Sequence, residues 1–361
     1  MPARLGILTG GGDAPGLNAV IRAVVKAAYN EYDATVVGIE HGFDGLLQEG
    51  VTLELTPEHV RGILPQGGTI LGAANRGNPF ARKVMRDGVE VVVDVSDQVV
   101  AKIEELELDC LIVVGGDGTL RISYELVEKG CPIIGVPKTI DNDIGGTDVS
   151  FGFDTAVTTA TDAIDKLHTT AEAHHRVMVL ELMGRDAGFI ALHAGVAGGA
   201  DVILIPEIPF DFEPVRQTIL ERDASGRHFS IIAVAEGAFP KGAEPIYSRE
   251  GDEIVVSRLG GVGQIVGKTI GEICAMETRV TVLGHLQRGG QPTAFDRWLA
   301  TRYGAAAVRL ALRGGYGRMV SLQGMAVRDV TLEKALEIPK RVDVSGDAMI
   351  TARELGICLG D

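Results

Sequence analysis

The sequence predicts an α/β protein of two Rossmann-like lobes, each with a mainly parallel sheet covered by helices, and an active site in the cleft between them. Three observations carry this expectation. Short apolar runs alternate with segments of helical periodicity. Several runs end in glycine-rich polar loops, in a chain with 48 glycines among 361 residues, against a usual share of about 7%. A second series of such units begins near Arg176. In sheets of this kind ligands bind at the carboxyl ends of the strands, where the loops lie.

Taken in order, Leu5 to Thr9 reads as a strand, "GGGDAPGLN" as its loop, and "AVIRAVVKAA" as a helix. "ATVVGIEHG" gives the next strand, and "DCLIVVGGDGT" a strand and loop before a helix from about Leu120. "CPIIGVPKTIDND" is a further strand and loop. The second series runs through "RVMVLELMGRDAGFIALHAG", "ADVILIPE", "HFSIIAVAEGA" and "ETRVTVLGHLQRGGQP", then a helix from Thr293 to about Arg313. Residues 1–150 are expected to form the larger lobe, with helices from about 290 packing back on it. Residues 151–315 are expected to form the second, sugar-phosphate-binding lobe and 316–361 a C-terminal extension, whose last part, Pro339 to Asp361, is too apolar for a disordered tail.

Composition bounds the function. With 45% hydrophobic and 23% charged residues the chain can bury a sizeable core. A net charge of -15 argues against nucleic acid, whose binding needs clustered Lys and Arg. Small anionic substrates need only local positive charge or a metal ion. No apolar stretch reaches membrane-spanning length, and the N-terminus lacks a basic region followed by an apolar core, so a cytoplasmic enzyme without a membrane partner is expected. Cys110, Cys131, Cys274 and Cys358 have no metal-site spacing, and no pair among His174, His175 and His285 has the i, i+4 spacing of a helical zinc site.

The polar loops carry the chemistry. Gly10, Gly11 and Gly12 let successive N–H groups face an anion at a helix N-terminus, or simply make a tight turn. Gly115, Gly116 and Gly118 clear room for phosphates, while Asp117 offers a hard oxygen to Mg2+ or caps the following helix. In "PKTIDNDIGGTD", Asp141 and Asp143 flank Asn142 and follow Thr139. One carboxylate could take a hydroxyl proton while its neighbour assists the metal, or these are turn formers. Arg176, Arg185, Arg279 and Arg288 suit phosphate recognition, Glu236 a sugar hydroxyl or a turn cap, and His285 a sugar or phosphate contact.

Together "GGDAPGLN", "GGDGT", "PKTIDND", "MGRDAG", "AEG" and "GHLQRGG", in that order over about residues 4 to 315, resemble the phosphofructokinase family, in particular its bacterial mixed-substrate group. The resemblance implies glycolytic transfer of the γ-phosphoryl of ATP to the 1-hydroxyl of fructose 6-phosphate with Mg2+, with pyrophosphate as the alternative donor. It makes Asp141 the general base, with Thr139 and Arg185 beside it in catalysis and Asp117 serving the metal. Thr139, Ile140, Asp141, Met183, Gly184, Arg185, Glu236, His285, Leu286, Gln287 and Arg288 become sugar-phosphate contacts. Gly11, Gly12, Arg76, Gly116, Asp117, Gly118 and Thr119 become donor contacts, although Asn75 stands where regulated bacterial members place the arginine. Arg176 and Arg279 match arginines that reach a neighbouring subunit's site, which implies a homodimer or homotetramer.

Donor choice rests on two positions. Gly118 leaves space for an α-phosphate, as in ATP-dependent members, whereas Lys138 is similar to the pyrophosphate type but is long enough to swing aside. ATP is therefore the expected donor. The basic effector residues of regulated members fall at Pro57, His168 and Phe229, leaving Lys26, which implies weak control by ADP or phosphoenolpyruvate. NAD and lipid kinases share a GGDGT loop without "PKTIDND" and "GHLQRGG", and a sugar-phosphate-binding regulator would not need Asp117 and Asp141 together.

Overall fold

The computed structural model describes residues 2–47, 52–74, 77–86, 88–244, 247–248 and 258–361. The first stretch runs β1 (Arg4–Thr9), α1 (Leu17–Tyr32), β2 (Thr35–Ile39), β3 (Thr52–Leu55), the hairpin β4 (Arg82–Arg86) and β5 (Val89–Val93), α2 (Ser96–Glu105), β6 (Cys110–Gly115), α3 (Asp117–Glu128) and β7 (Ile133–Pro137). There follow α4 (Phe153–His174), β8 (Val177–Leu182), α5 (Phe189–Ala197), β9 (Val202–Leu204), α6 (Phe212–Ala224), β10 (Ser230–Ala235), the short pair β11 (Tyr247–Ser248) and β12 (Arg258–Leu259), α7 (Val262–Cys274) and β13 (Thr278–Val282). The chain closes with α8 (Ala294–Leu312), β14 (Arg318–Gln323), β15 (Ala326–Thr331), α9 (Leu332–Glu337) and α10 (Asp347–Glu354).

Two compact units emerge. Unit 1 comprises residues 1–139, 143–154 and 288–339, and unit 2 comprises 140–142, 155–287 and 340–361. The segment 316–361 is thus divided between them.

Unit 1 is built on a sheet of strand order β15-β14-β7-β6-β1-β2-β3. Its inner strands are parallel, and β3 and β15 close the edges antiparallel. β6 is buried along its whole length because both faces of the sheet are covered. Cys110, Ile112 and Val114 enter the core under α1 and α8, while Leu111 and Val113 enter the opposite core with Val99 and Ile103 of α2, as the two-residue strand period requires. The helix expected from Thr293 is α8, and the Thr293 side chain caps it by accepting from Asp296 N at 3.2 Å.

Unit 2 has a wholly parallel sheet of order β13-β8-β10-β9. Val177, Val179, Ile232 and Val234 pack with Val215 and Ile219 of α6 and Val262, Val266 and Ile270 of α7. The last residues belong to this unit: Cys358 bridges Val202 in parallel, and Asp211 N donates to Gly360 O at 2.7 Å. Cys110, Cys131 and Cys274 are buried free thiols. Among the described residues no helix is long and apolar enough to cross a membrane.

Candidate active site

In unit 1 two glycine loops stand side by side at the carboxyl ends of β1 and β6, held by Gly10 N to Val114 O at 2.9 Å. Some of these glycines serve packing. A Cβ at Gly10 or Gly115 would lie 2.7 or 2.4 Å from the Thr119 side chain, so these two positions admit Thr119 between the loops. Gly11, at φ 73°, turns the chain, and a Cβ there would lie 3.2 Å from Thr119 Oγ1 and 3.7 Å from Lys138 Nζ. Gly118 is different, because a Cβ there would meet nothing within 4 Å. The space in front of it is open.

The helix after the second loop begins three residues earlier than expected, at Asp117, with Gly116 at its N-cap. Asp117 therefore does not cap α3. It accepts instead from Arg121 Nε at 2.8 Å, one turn along, while Arg121 Nη2 donates to Leu336 O at 3.2 Å. This placement leaves the first backbone N–H groups of α3 without intrahelical partners beside the carboxylate. The i, i+4 spacing of Asp117 and Arg121 could have announced this pair.

Lys138 is 3% exposed and its ammonium donates to Gly12 O, which holds the side chain against the first loop. Arg288 joins it from the other end of the unit, with Nη1 donating to Asp13 O at 3.1 Å, and a Cβ at Gly12 would stand 2.8 Å from the same atom. Two basic side chains thus gather at the carbonyls of the first loop, while its Gly10 N donates to Val114 O and its Gly11 N to Ala74 O at 3.3 Å. Thr139 follows Lys138 and accepts Ser150 Oγ on its carbonyl at 2.9 Å. Asn75 and Arg76 lie outside the described residues.

Unit 2 brings together Asp141, Met183, Gly184, Arg185 and Glu236. Asp141 is 3% exposed, and Asn142 after it turns the chain at φ 56°. At the carboxyl end of β8, Gly184 (φ 147°) and Arg185 (φ 53°) form a tight loop in which Arg185 N donates to Glu236 Oε1 at 3.1 Å. Burial pushes the Glu236 carboxyl up to about 7, against the pull of the Arg185 N–H, and the nearby Asp141 charge adds to the rise. Glu181, also on β8, accepts from Gly263 N at 2.7 Å and anchors the start of α7.

Other expected contacts are placed differently. Arg176 and Arg279 share Glu277: Arg176 Nε lies 2.9 Å from Oε2, and Arg279 pairs with Oε1. They stand at the start of β8 and β13, a six-residue strand from Arg185, or roughly 20 Å. Ile140 is fully buried, so only its backbone can face a ligand. Gln287 is likewise fully buried and donates to Gly284 O at 3.1 Å, holding its turn, whereas His285 and Leu286 are exposed. Glu277 had no motif to announce it.

A family model for phosphofructokinase matches residues 4–311, the stretch that carries these loops. The chain belongs to the phosphofructokinase family. It is 55% identical to the ATP-dependent 6-phosphofructokinase of Chloroflexus aurantiacus over 358 residues, covering 99% of this chain and 98% of that one. To the ATP-dependent 6-phosphofructokinase of Spirochaeta thermophila it is 48% identical, with 99% and 97% covered. Among solved structures, Pichia pastoris phosphofructokinase in the T-state superposes with a TM-score of 0.79 at 30% identity, over 98% of this chain and 36% of that chain. The phosphofructokinase fold also appears in the pyrophosphate-dependent enzyme of Marinobacter aquaeolei, at TM-score 0.79 and 20% identity, over 99% and 92% of the two chains.

Proposed function

We propose that this phosphofructokinase-family chain is an ATP-dependent 6-phosphofructokinase, which phosphorylates the 1-hydroxyl of fructose 6-phosphate in glycolysis. The observation that carries the reading is the division of labour between the loops. Unit 1 has backbone N–H groups, Lys138 and Asp117, which suit a polyphosphate, and unit 2 has the buried Asp141 near Glu236 and Arg185, which suit a sugar phosphate. In the reaction Asp141 accepts the proton of the 1-hydroxyl, that oxygen bonds to the γ-phosphorus, and the bond from γ-phosphorus to the bridging oxygen breaks to release ADP. The role that fits Arg185 in this reading is to meet charge building on the transferred group.

Magnesium suits this donor set. Among the described residues no group of three or more His, Cys, Asp or Glu side chains could hold a metal, and Mg2+ needs just one or two carboxylates when substrate phosphates and water complete its shell. Asp117 would supply that carboxylate, and the ion would neutralise phosphate charge.

ATP is favoured as donor by the open space at Gly118 and by the names of the similar proteins. The Lys138 side chain favours a second reading, pyrophosphate, because it stands at Gly12 O beside the first loop. Initial rates on fructose 6-phosphate with ATP and, separately, with pyrophosphate decide between them. A kcat/KM higher with pyrophosphate would refute ATP as donor. Arg176 and Arg279, held about a strand length from their own chain's Arg185, serve the 6-phosphate site of a second subunit in a homodimer or homotetramer.

A further inference from the structure

Glu207 lies just beyond β9, outside the loops that carry the candidate site. Its Oε1 accepts from Gly188 N at 3.0 Å and from Val342 N at 2.9 Å, and its Oε2 accepts from the same Gly188 N at 3.1 Å. Gly188 is the N-cap of α5 and ends the loop that contains Met183, Gly184 and Arg185. No side chain fits at this position, since a Cβ would stand 2.4 Å from Ile205 Cβ and 2.8 Å from Glu207 Oε2.

Val342 opens the C-terminal segment. Two residues before it, Lys340 holds its ammonium 5.4 Å from the centroid of the Phe189 ring, the first residue of α5. The far end of the segment is tied to the same unit, with Ile203 N donating to Cys358 O at 2.9 Å and Cys358 N to Asp201 O at 3.0 Å. The segment is fastened at both ends, and Glu207 joins it to the loop.

On its other side the loop is confined by Glu236, which accepts from Arg185 N, and by Gly237, where a Cβ would lie 2.1 Å from Arg185 O. Arg185 sits at φ 53°, a conformation that residues other than glycine adopt at a cost and that persists only where the surroundings over-determine it. Glu207 supplies that constraint from behind.

We infer that Glu207 is a positioning residue: by bonding Gly188 and Val342 together it uses the C-terminal segment to fix the loop that presents Arg185 to the sugar phosphate. The inference rests on the role proposed above for Arg185, and it assigns a function to residues that touch no substrate.

The test compares Glu207→Ala, Glu207→Gln and Arg185→Ala in the full chain. Glu207→Ala should lower kcat/KM for fructose 6-phosphate by about 10- to 100-fold, as a small misplacement of a binding group does, while KM for the donor stays within about twofold. Hydrogen exchange at the Gly188 amide should speed up in the same variant. Glu207→Gln, whose one carbonyl oxygen can still accept both N–H groups, should restore most of the activity. Unchanged fructose 6-phosphate kinetics in folded Glu207→Ala, or equal losses toward donor and sugar, would overturn the inference. If Arg185→Ala leaves fructose 6-phosphate kinetics intact, the assignment of Arg185 itself fails and takes the inference with it. Should Glu207→Ala not fold, Val342→Pro, which deletes one of the three bonds, carries the same comparison.

Discussion

Asp141 has the burial a general base needs, and its replacement by Asn keeps the shape while removing proton acceptance. Turnover should fall by about 10²- to 10⁴-fold with fructose 6-phosphate still bound, as calorimetry would show; turnover within tenfold of wild type would exclude the role. Gly118 permits the opposite experiment, an added group. Nothing within 4 Å would meet its Cβ, so Gly118→Asp should fold normally and lose at least about tenfold in kcat/KM for ATP through repulsion of the donor phosphates. An undiminished ATP rate would refute the reading of that space. Glu236 titrates near 7 against an ordinary value of 4.5, chiefly because it is buried. The folded state then keeps a proton that the unfolded chain has already released, so this contribution to stability is complete below about pH 4.5 and is lost as pH rises through 7. Denaturation midpoints measured from about pH 5 to 8 should therefore decline more steeply in wild type than in Glu236→Gln, which has no such proton to lose.

At the scale of elements, Tyr303 of α8 shows how a helix is fastened. Its hydroxyl donates to Val149 O at 2.6 Å and lies 3.0 Å from Thr147 Oγ1, which in turn accepts from Leu322 N of β14 at 3.0 Å. Tyr303→Phe removes this hydroxyl's bonds while Thr147 Oγ1 still donates to Val149 O at 3.2 Å, and it should cost about 0.5–1.5 kcal/mol of stability, read from denaturant unfolding, with kinetics unchanged. The apolar runs made the parallel strands legible, and Thr293 marked the start of α8, because burial on both sheet faces and N-capping each leave a local signature. The glycine loops were legible as sites, but their internal duties were not. Gly10 and Gly115 make room for Thr119, Lys138 donates to Gly12, and Gln287 turns inward, all consequences of contacts between segments distant in sequence. Glu277 and Glu207 were invisible for the same reason, since a carboxylate acquires its role from partners that the fold delivers.

For the molecule as a whole, the sharing of sites between subunits proposed above has a consequence for mixed oligomers. A subunit with Asp141→Asn still offers its arginines, and one with Arg279→Ala still offers its aspartate. Co-expressed in equal amounts as dimers, the two inactive variants should recover about a quarter of wild-type activity, the share of sites that receive both intact groups. No recovery would place each site within one chain. At the expected effector positions, His168 spends its Nε2 on Gly198 O at 2.8 Å and meets the Phe229 ring edge-on at 6.0 Å. Neither offers a fixed cation, so ADP and phosphoenolpyruvate should leave the fructose 6-phosphate saturation curve where it is, and a clear shift by either would contradict this.

The pairing of β7 with β14 has a further consequence, one of timing. β7 ends at Pro137, and its parallel neighbour begins at Arg318. At about 5–20 residues per second a ribosome needs roughly ten to forty seconds to make the intervening chain. Throughout that interval the nascent sheet carries β7 as an open edge, a template for pairing with other chains. Ribosome-bound chains halted before Arg318 should therefore be captured by chaperones more than the released full-length chain, in which β14 pairs with β7 and β15 with β14.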